Sequence, residues 1–132
     1  MSPGSERVTA YRRASLHKPE LSQRYNKHVE ILLVLTNLPD VTSAQTLAIS
    51  LVDQHLAACA NVMSPCQSVY RWQGKLENSE EIPLLIKTTR DRYAALESAI
   101  RVLHPYELPE IIAVPVVAGL PAYLDWVTQE CN

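Results

Sequence analysis

The chain has 132 residues, of which 47% are hydrophobic and 20% are charged, and its formal net charge at pH 7 is −2. This composition is typical of one globular domain, and no apolar run reaches the roughly 18–20 residues that a membrane-spanning helix needs. The three cysteines, Cys59, Cys66 and Cys131, are odd in number and have no CxxC spacing. That pattern argues against a disulfide framework or a cysteine-rich zinc site, so we expect a reducing, cytoplasmic environment.

Residues 1–27 differ in charge from the rest of the chain. They carry six basic and two acidic residues, a net charge of +4, whereas the remainder carries six basic and twelve acidic residues, a net charge of −6. The segment has no apolar h-region and does not resemble a secretory signal. We expect a flexible basic extension over residues 1–27, with an organelle presequence as the alternative, and a folded domain over residues 28–132. Because that domain is acidic, we expect no nucleic-acid partner.

The domain is predicted to begin with a strand at residues 29–35, whose continuous apolar run is typical of a strand buried on both faces. A turn at residues 36–40 leads to a helix that Asp40 or Thr42 caps. The apolar side chains of this helix recur at spacings of three and four. They are Ala44, Leu47, Ala48, Leu51, Val52 and Leu56.

Residues 59–89 are predicted to form a long β-hairpin, because two arms rich in aliphatic and aromatic residues enclose a polar middle. Gly74 can adopt a positive φ where the chain leaves the first arm, and Asn78 and Ser79 supply turn chemistry further along. Glu77, Glu80 and Glu81 near the tip are expected to form a solvated face. Such a long hairpin would extend beyond a small domain and needs another surface to pack on.

A second helix follows the hairpin, with Asp91 as its predicted cap and Pro105 as its stop. The final strand is predicted at residues 110–114, where Pro115 indicates an edge strand or a bulge. Pro121 suits the first turn of a short last helix.

The predicted order of elements is β-α-β-β-α-β with an additional C-terminal helix, which is the pattern of a ferredoxin-like α+β sandwich. Both helices of such a fold cover the same face of the sheet. However, the runs at 31–35, 84–86 and 111–114 are apolar at consecutive positions, so the second face also needs a cover. We therefore expect a homo-oligomer, whose cyclic closure would also protect the edges of the hairpin.

Four blocks of sequence stand out: LAACAN at 56–61, SVYRWQGK at 68–75, IKTT at 86–89 and HPYELPEI at 104–111. In this order and spacing they resemble the signature blocks of the CutA divalent-cation tolerance family, over about residues 29–127. The resemblance implies a ferredoxin-like protomer in a tight homotrimer, related in architecture to the PII signalling trimers. It also implies tolerance to divalent cations and binding of copper(II) or another divalent metal ion.

The resemblance is incomplete at positions that bear on copper binding. Some bacterial members of the family have a cysteine where this chain has Leu35 and a second histidine where it has Leu103, and leucine cannot bind a metal. His104 remains as a ligand for Cu(II) or Zn(II), with a carboxylate such as Glu107 as a second donor. The alternative for His104 is a protonated ring held by the helix C-terminal dipole. Cys59 is either a soft metal ligand or a buried, inert thiol.

A ligand cleft between protomers is the second candidate site. Lys87 lies in the middle of a strand, where a charged side chain is rarely unpaired, and Glu107 or Glu110 is its expected partner. Either this ion pair is structural or Lys87 helps to bind a small anionic ligand among clustered aromatic rings. The predicted cleft consists of Tyr70, Trp72, Lys87, Tyr106, Glu107 and Glu110.

Three classes of function follow from these sites. The resemblance favours a metal-binding tolerance protein, and the alternative is a PII-like regulator that binds a small anion. An enzyme with Cys59 as nucleophile and His104 as base is the least supported class, because these residues lie far apart in the pattern and in no catalytic motif. We therefore expect a protein that is not an enzyme.

Overall fold

A computed structural model describes residues 29–132 and confirms a mixed α+β architecture with an additional C-terminal helix. The elements are β1 (Ile31–Leu38), α1 (Val41–Asp53), β2 (Cys59–Val62), β3 (Cys66–Trp72), β4 (Lys75–Thr89), α2 (Arg90–Leu103), β5 (Ile112–Pro115) and α3 (Pro121–Glu130). The predictions made for residues 1–27 lie outside the described residues. None of the helices described is both long and apolar enough to cross a membrane.

The strands form one antiparallel sheet in the order β2-β4-β1-β5, and β3 pairs with the remaining part of β4. This order is that of a ferredoxin-like sheet. β4 has 15 residues and pairs with three different strands. Its second half, from Ile82, lies in the centre of the sheet beside β1, while its first half and β3 form a two-stranded arm.

The arm turns at Gln73 and Gly74, where φ is 50° and 81°. Two consecutive positive φ values characterise the type I′ turn that matches the twist of paired strands, and Gly74 adopts this region without steric cost. The turn predicted at Asn78 and Ser79 is wrong, because both residues lie within β4. The hydroxyl groups of Ser79 and Tyr70 are 3.1 Å apart across the arm.

The ends of the helices are set partly by side chains. Asp40 caps α1 as expected, since its Oδ1 accepts a hydrogen bond from the Ser43 amide at 2.7 Å. The cap predicted at Asp91 is wrong: α2 begins at Arg90, and Thr89 occupies the cap position without a side-chain hydrogen bond. Asp91 instead lies in the first turn, where its negative charge interacts favourably with the positive end of the helix dipole.

The main core lies between one face of the sheet and helices α1 and α2. Its fully buried residues include Val34, Leu84, Ile86, Leu51, Leu96 and Ile100. A smaller cluster joins α3 to the end of the sheet through Ile31, Ala58, Val127 and Cys131.

Helices α1, α2 and α3 leave most of the opposite face of the sheet, which we call the open face, uncovered. The register places Leu33, Leu35, Leu85, Ile112 and Val114 on it. Ile112 is 52% exposed and Val114 is 50% exposed. The second apolar face expected from the sequence is therefore present, and residues 29–132 leave most of it uncovered.

Candidate functional site

A cleft of about 780 Å³ opens between the β3–β4 arm and the loop that follows α2. Five of the six predicted cleft residues line it. They are Tyr70 and Trp72 from the arm, and Tyr106, Glu107 and Glu110 from the loop. Asn37, near the end of β1, and Glu81, where the arm joins the central part of β4, also line the cleft. The structure thus brings together residues that are more than 30 positions apart in the sequence.

Lys87 is the predicted cleft residue that the protomer places elsewhere. It lies on the open face, where its Nζ contacts Asn61 Oδ1 and is 4.0 Å from Cys59 Sγ. Among the described residues, Lys87 forms no ion pair with Glu107 or Glu110 of the same protomer, and the pair expected between protomers stays a prediction. The strand register explains this placement, because Lys87 pairs with Cys59 of β2 on one side and Leu33 of β1 on the other.

Glu81 is the cleft residue that the sequence reasoning missed. It was expected on a solvated face with Glu77 and Glu80, but its side chain is only 7% exposed. Burial and, in second place, the nearby Glu81 carboxylate as hydrogen-bond acceptor raise the pKa of Tyr106 to about 12. The sequence feature that indicates this difference is strand alternation, which puts Glu81 on the opposite face of the strand from Glu80.

His104 fixes the start of the loop to β1. Its Nε2 is 2.7 Å from the Asn37 carbonyl oxygen and therefore donates, while its Nδ1 accepts from the Tyr106 amide at 3.1 Å. The ring is 7% exposed, and burial lowers the pKa of His104. The imidazole is consequently neutral with both nitrogens occupied. The two expectations for His104, a free metal ligand and a protonated ring at the helix end, do not fit this geometry.

The other predicted ligand, Cys59, lies at a different part of the sheet. Cys59 is level with Leu33 on β1, whereas His104 contacts Asn37, four residues or about 13 Å further along the strand. Among the described residues, no three His, Cys, Asp or Glu side chains converge as metal ligands. Residues 29–132 therefore do not form a closed copper site within the protomer.

The cleft is negative in charge. Glu81, Glu107 and Glu110 line it, and the lining within the described part of the chain includes no Lys or Arg. A cleft of this sign attracts cations and repels anions. The protomer geometry thus gives no support to the alternative of a regulator that binds a small anion.

The chain is similar to known proteins over nearly all of the described region. The family model described as "CutA1 divalent ion tolerance protein" matches residues 32–130. A divalent-cation tolerance protein CutA from Thermus thermophilus is 41% identical over 97 residues, which cover 74% of this chain and 94% of that protein. A CutA homolog from Xenopus laevis is 45% identical over 89 residues, which cover 67% of this chain and 59% of that protein.

Solved structures show the same fold. CutA1 from Thermus thermophilus superimposes with a TM-score of 0.76 at 39% identity, covering 77% of this chain and 99% of that one. CutA1 from Oryza sativa superimposes with a TM-score of 0.77 at 34% identity, covering 79% of this chain and 95% of that one. These similarities extend over the sheet and its helices.

Proposed function

The chain belongs to the CutA1 divalent ion tolerance family, and on this premise we propose that it is a cytoplasmic homotrimer that binds divalent cations weakly. The observation that carries the proposal is the charge of the cleft, which Glu81, Glu107 and Glu110 line without a basic side chain among the described lining residues. Carboxylate oxygens are ligands that divalent cations such as Mn²⁺ and Mg²⁺ prefer. The free thiols of Cys59, Cys66 and Cys131 support a reducing location.

The binding role is also favoured over catalysis. The thiol of Cys59 has Asn61 and Lys87 as neighbours, whereas both nitrogens of His104 contact the backbone of Asn37 and Tyr106. A nucleophile and its base must lie within hydrogen-bond reach of each other. The separate partners of this thiol and this imidazole support a protein that is not an enzyme.

Metal binding should depend on the exposed carboxylates of the loop and not on His104. Titration of Mn(II) and Cu(II) by calorimetry, in a buffer that chelates neither ion, compares the wild type with the Glu107→Gln/Glu110→Gln double variant. We expect weak binding by the wild type and a several-fold loss of affinity in the double variant. Copper should bind more tightly than manganese, as it does at most open nitrogen and oxygen sites.

Two further variants make this experiment decisive. Glu77→Gln/Glu80→Gln removes the same charge from the arm outside the cleft lining and should leave the affinity within about twofold. His104→Gln should also bind as the wild type does. If His104→Gln alone abolishes copper binding, the imidazole is a ligand and the carboxylate site is rejected.

Assembly should occur through the open face. Leu85 lies at its centre, between Leu35 of β1 and Asn61 of β2. Apolar faces of this kind are usually buried between subunits. Light scattering of the wild type should give about three times 14.8 kDa. Leu85→Glu should dissociate the trimer, and Val102→Glu, at a site on α2 that is 82% exposed, should not. A monomeric wild type would reject the proposed assembly.

A further inference from the structure

The cleft has an aromatic wall that a metal site does not require. Tyr70 and Trp72 project from the β3–β4 arm into the lining and are 43% and 38% exposed, so their rings are accessible from the cleft. The Tyr70 hydroxyl is 3.1 Å from Ser79 Oγ on the paired strand, which restrains this ring. The faces of such rings attract weakly hydrated cations and pack against methylene groups.

Glu81 places a buried negative charge in the same lining. Glu81 is only 7% exposed, and the Tyr106 phenol beside it is neutral, because burial and this carboxylate raise the pKa of Tyr106 to about 12. No Lys or Arg in residues 29–132 forms an ion pair with Glu81; the ion pair in this part of the chain joins Arg90 to Glu30. The nearby ring of His104 is neutral and donates to a backbone carbonyl. A buried carboxylate is rarely stable without an opposite charge, so a ligand cation would complete this arrangement.

The size of the cleft and the remaining charges extend the argument. Its volume of about 780 Å³ lies within the range of small-molecule sites. Glu107 and Glu110 add two exposed carboxylates on the loop side. Tight binding of a small metal ion needs several donors that converge on one point, and the described residues form no such group. Carboxylates that come from both β4 and the loop, beside an aromatic wall, suit a longer cation with separated charges.

We propose that the cleft binds a small organic di- or polyamine. One alkylammonium group pairs with the Glu81 carboxylate, the methylene chain lies against Tyr70 and Trp72, and a second ammonium group interacts with Glu107 and Glu110. This ligand class goes beyond the divalent-cation role and does not depend on a bound metal.

The test is a titration of the full chain with spermidine in the presence of EDTA, followed by calorimetry and by tryptophan fluorescence. We expect saturable binding of one spermidine per protomer. Glu81→Gln should weaken it at least tenfold, and Trp72→Leu should weaken it several-fold and remove most of the fluorescence change. The Glu81→Gln amide oxygen still accepts from the Tyr106 hydroxyl, so the fold should be retained, which a thermal melt verifies.

Glu80→Gln is the matched control, because Glu80 is the next residue on β4, is exposed and does not line the cleft. The affinity of the Glu80→Gln variant for spermidine should stay within twofold of the wild-type affinity. Absence of saturable binding by the wild type, or equal weakening in Glu80→Gln and Glu81→Gln, overturns the proposal. Because EDTA removes divalent ions, neither result affects the metal titration described above.

Discussion

Replacement of His104 by alanine tests whether this residue holds the cleft loop to the sheet. The change removes the bond from Nε2 to the Asn37 oxygen at 2.7 Å and the bond from the Tyr106 amide to Nδ1 at 3.1 Å. Loss of one partner of a buried hydrogen bond costs about 1–3 kcal/mol. Asn37 and Tyr106 both line the cleft, where water can partly replace the imidazole, so the lower half of that range applies to each bond. We expect a loss of about 2–4 kcal/mol in the free energy of unfolding.

Urea denaturation at pH 7.5, followed by circular dichroism at a fixed protomer concentration, measures this loss. The fixed concentration is necessary because the stability of an oligomer depends on it. Val102→Ala is the control, since Val102 is 82% exposed near the same end of α2 and its truncation should change stability by less than about 0.5 kcal/mol. A loss below about 1 kcal/mol for His104→Ala would show that the two hydrogen bonds contribute little, and the anchoring role would be refuted.

Two further predictions concern pH and the core. Because burial lowers the pKa of His104, the unfolded state takes up a proton at higher pH than the folded state does. The unfolding free energy should therefore decrease as pH falls below about 6.5, the usual pKa of imidazole. His104→Gln should show less of this decrease between pH 7.5 and 5.5. Identical pH profiles of the unfolding free energy for the two proteins would contradict this prediction. Leu84→Ala empties a fully buried position between the sheet and the helices and should cost about 2–5 kcal/mol in urea denaturation. A cost below about 1 kcal/mol would mean that the core around Leu84 refills the space.

The candidate site shows which of its residues can be grouped from the sequence and which cannot. Tyr70, Trp72, Tyr106, Glu107 and Glu110 were assigned to one cleft, and the structure places them together. The alternation of the arm places Tyr70 and Trp72 on one face, and Glu107 and Glu110 are predicted beside them as partners of Lys87. Lys87 itself lies apart from this group within the protomer, because its neighbours are set by pairing with β2 and β1, far away in the chain.

The acidic residues of the arm illustrate the same limit. Glu77, Glu80 and Glu81 are alike in composition and were treated as one solvated group. Only Glu81 lies where β4 enters the sheet and lines the same cleft as the loop after α2, and it alone of the three is buried. Strand alternation separates Glu81 from Glu80 but not from Glu77, and only contact with the distant loop decides which of these carboxylates is buried.

The sequence by itself determined the types and order of the elements, except that the first arm of the predicted hairpin is divided into β2 and β3. Hydrophobic periodicity and the backbone limits of Pro and Gly act over a few residues and are therefore visible locally. The sequence also indicated a second apolar face, since β1 is apolar at consecutive positions. Tertiary structure alone decided the chemistry of the site. The Nε2 atom of His104 is occupied because a carbonyl oxygen 67 residues away lies 2.7 Å from it, and Glu81 lies beside Tyr106, which is 25 residues away in the sequence. Such contacts depend on strand register and loop packing, which the whole chain sets together.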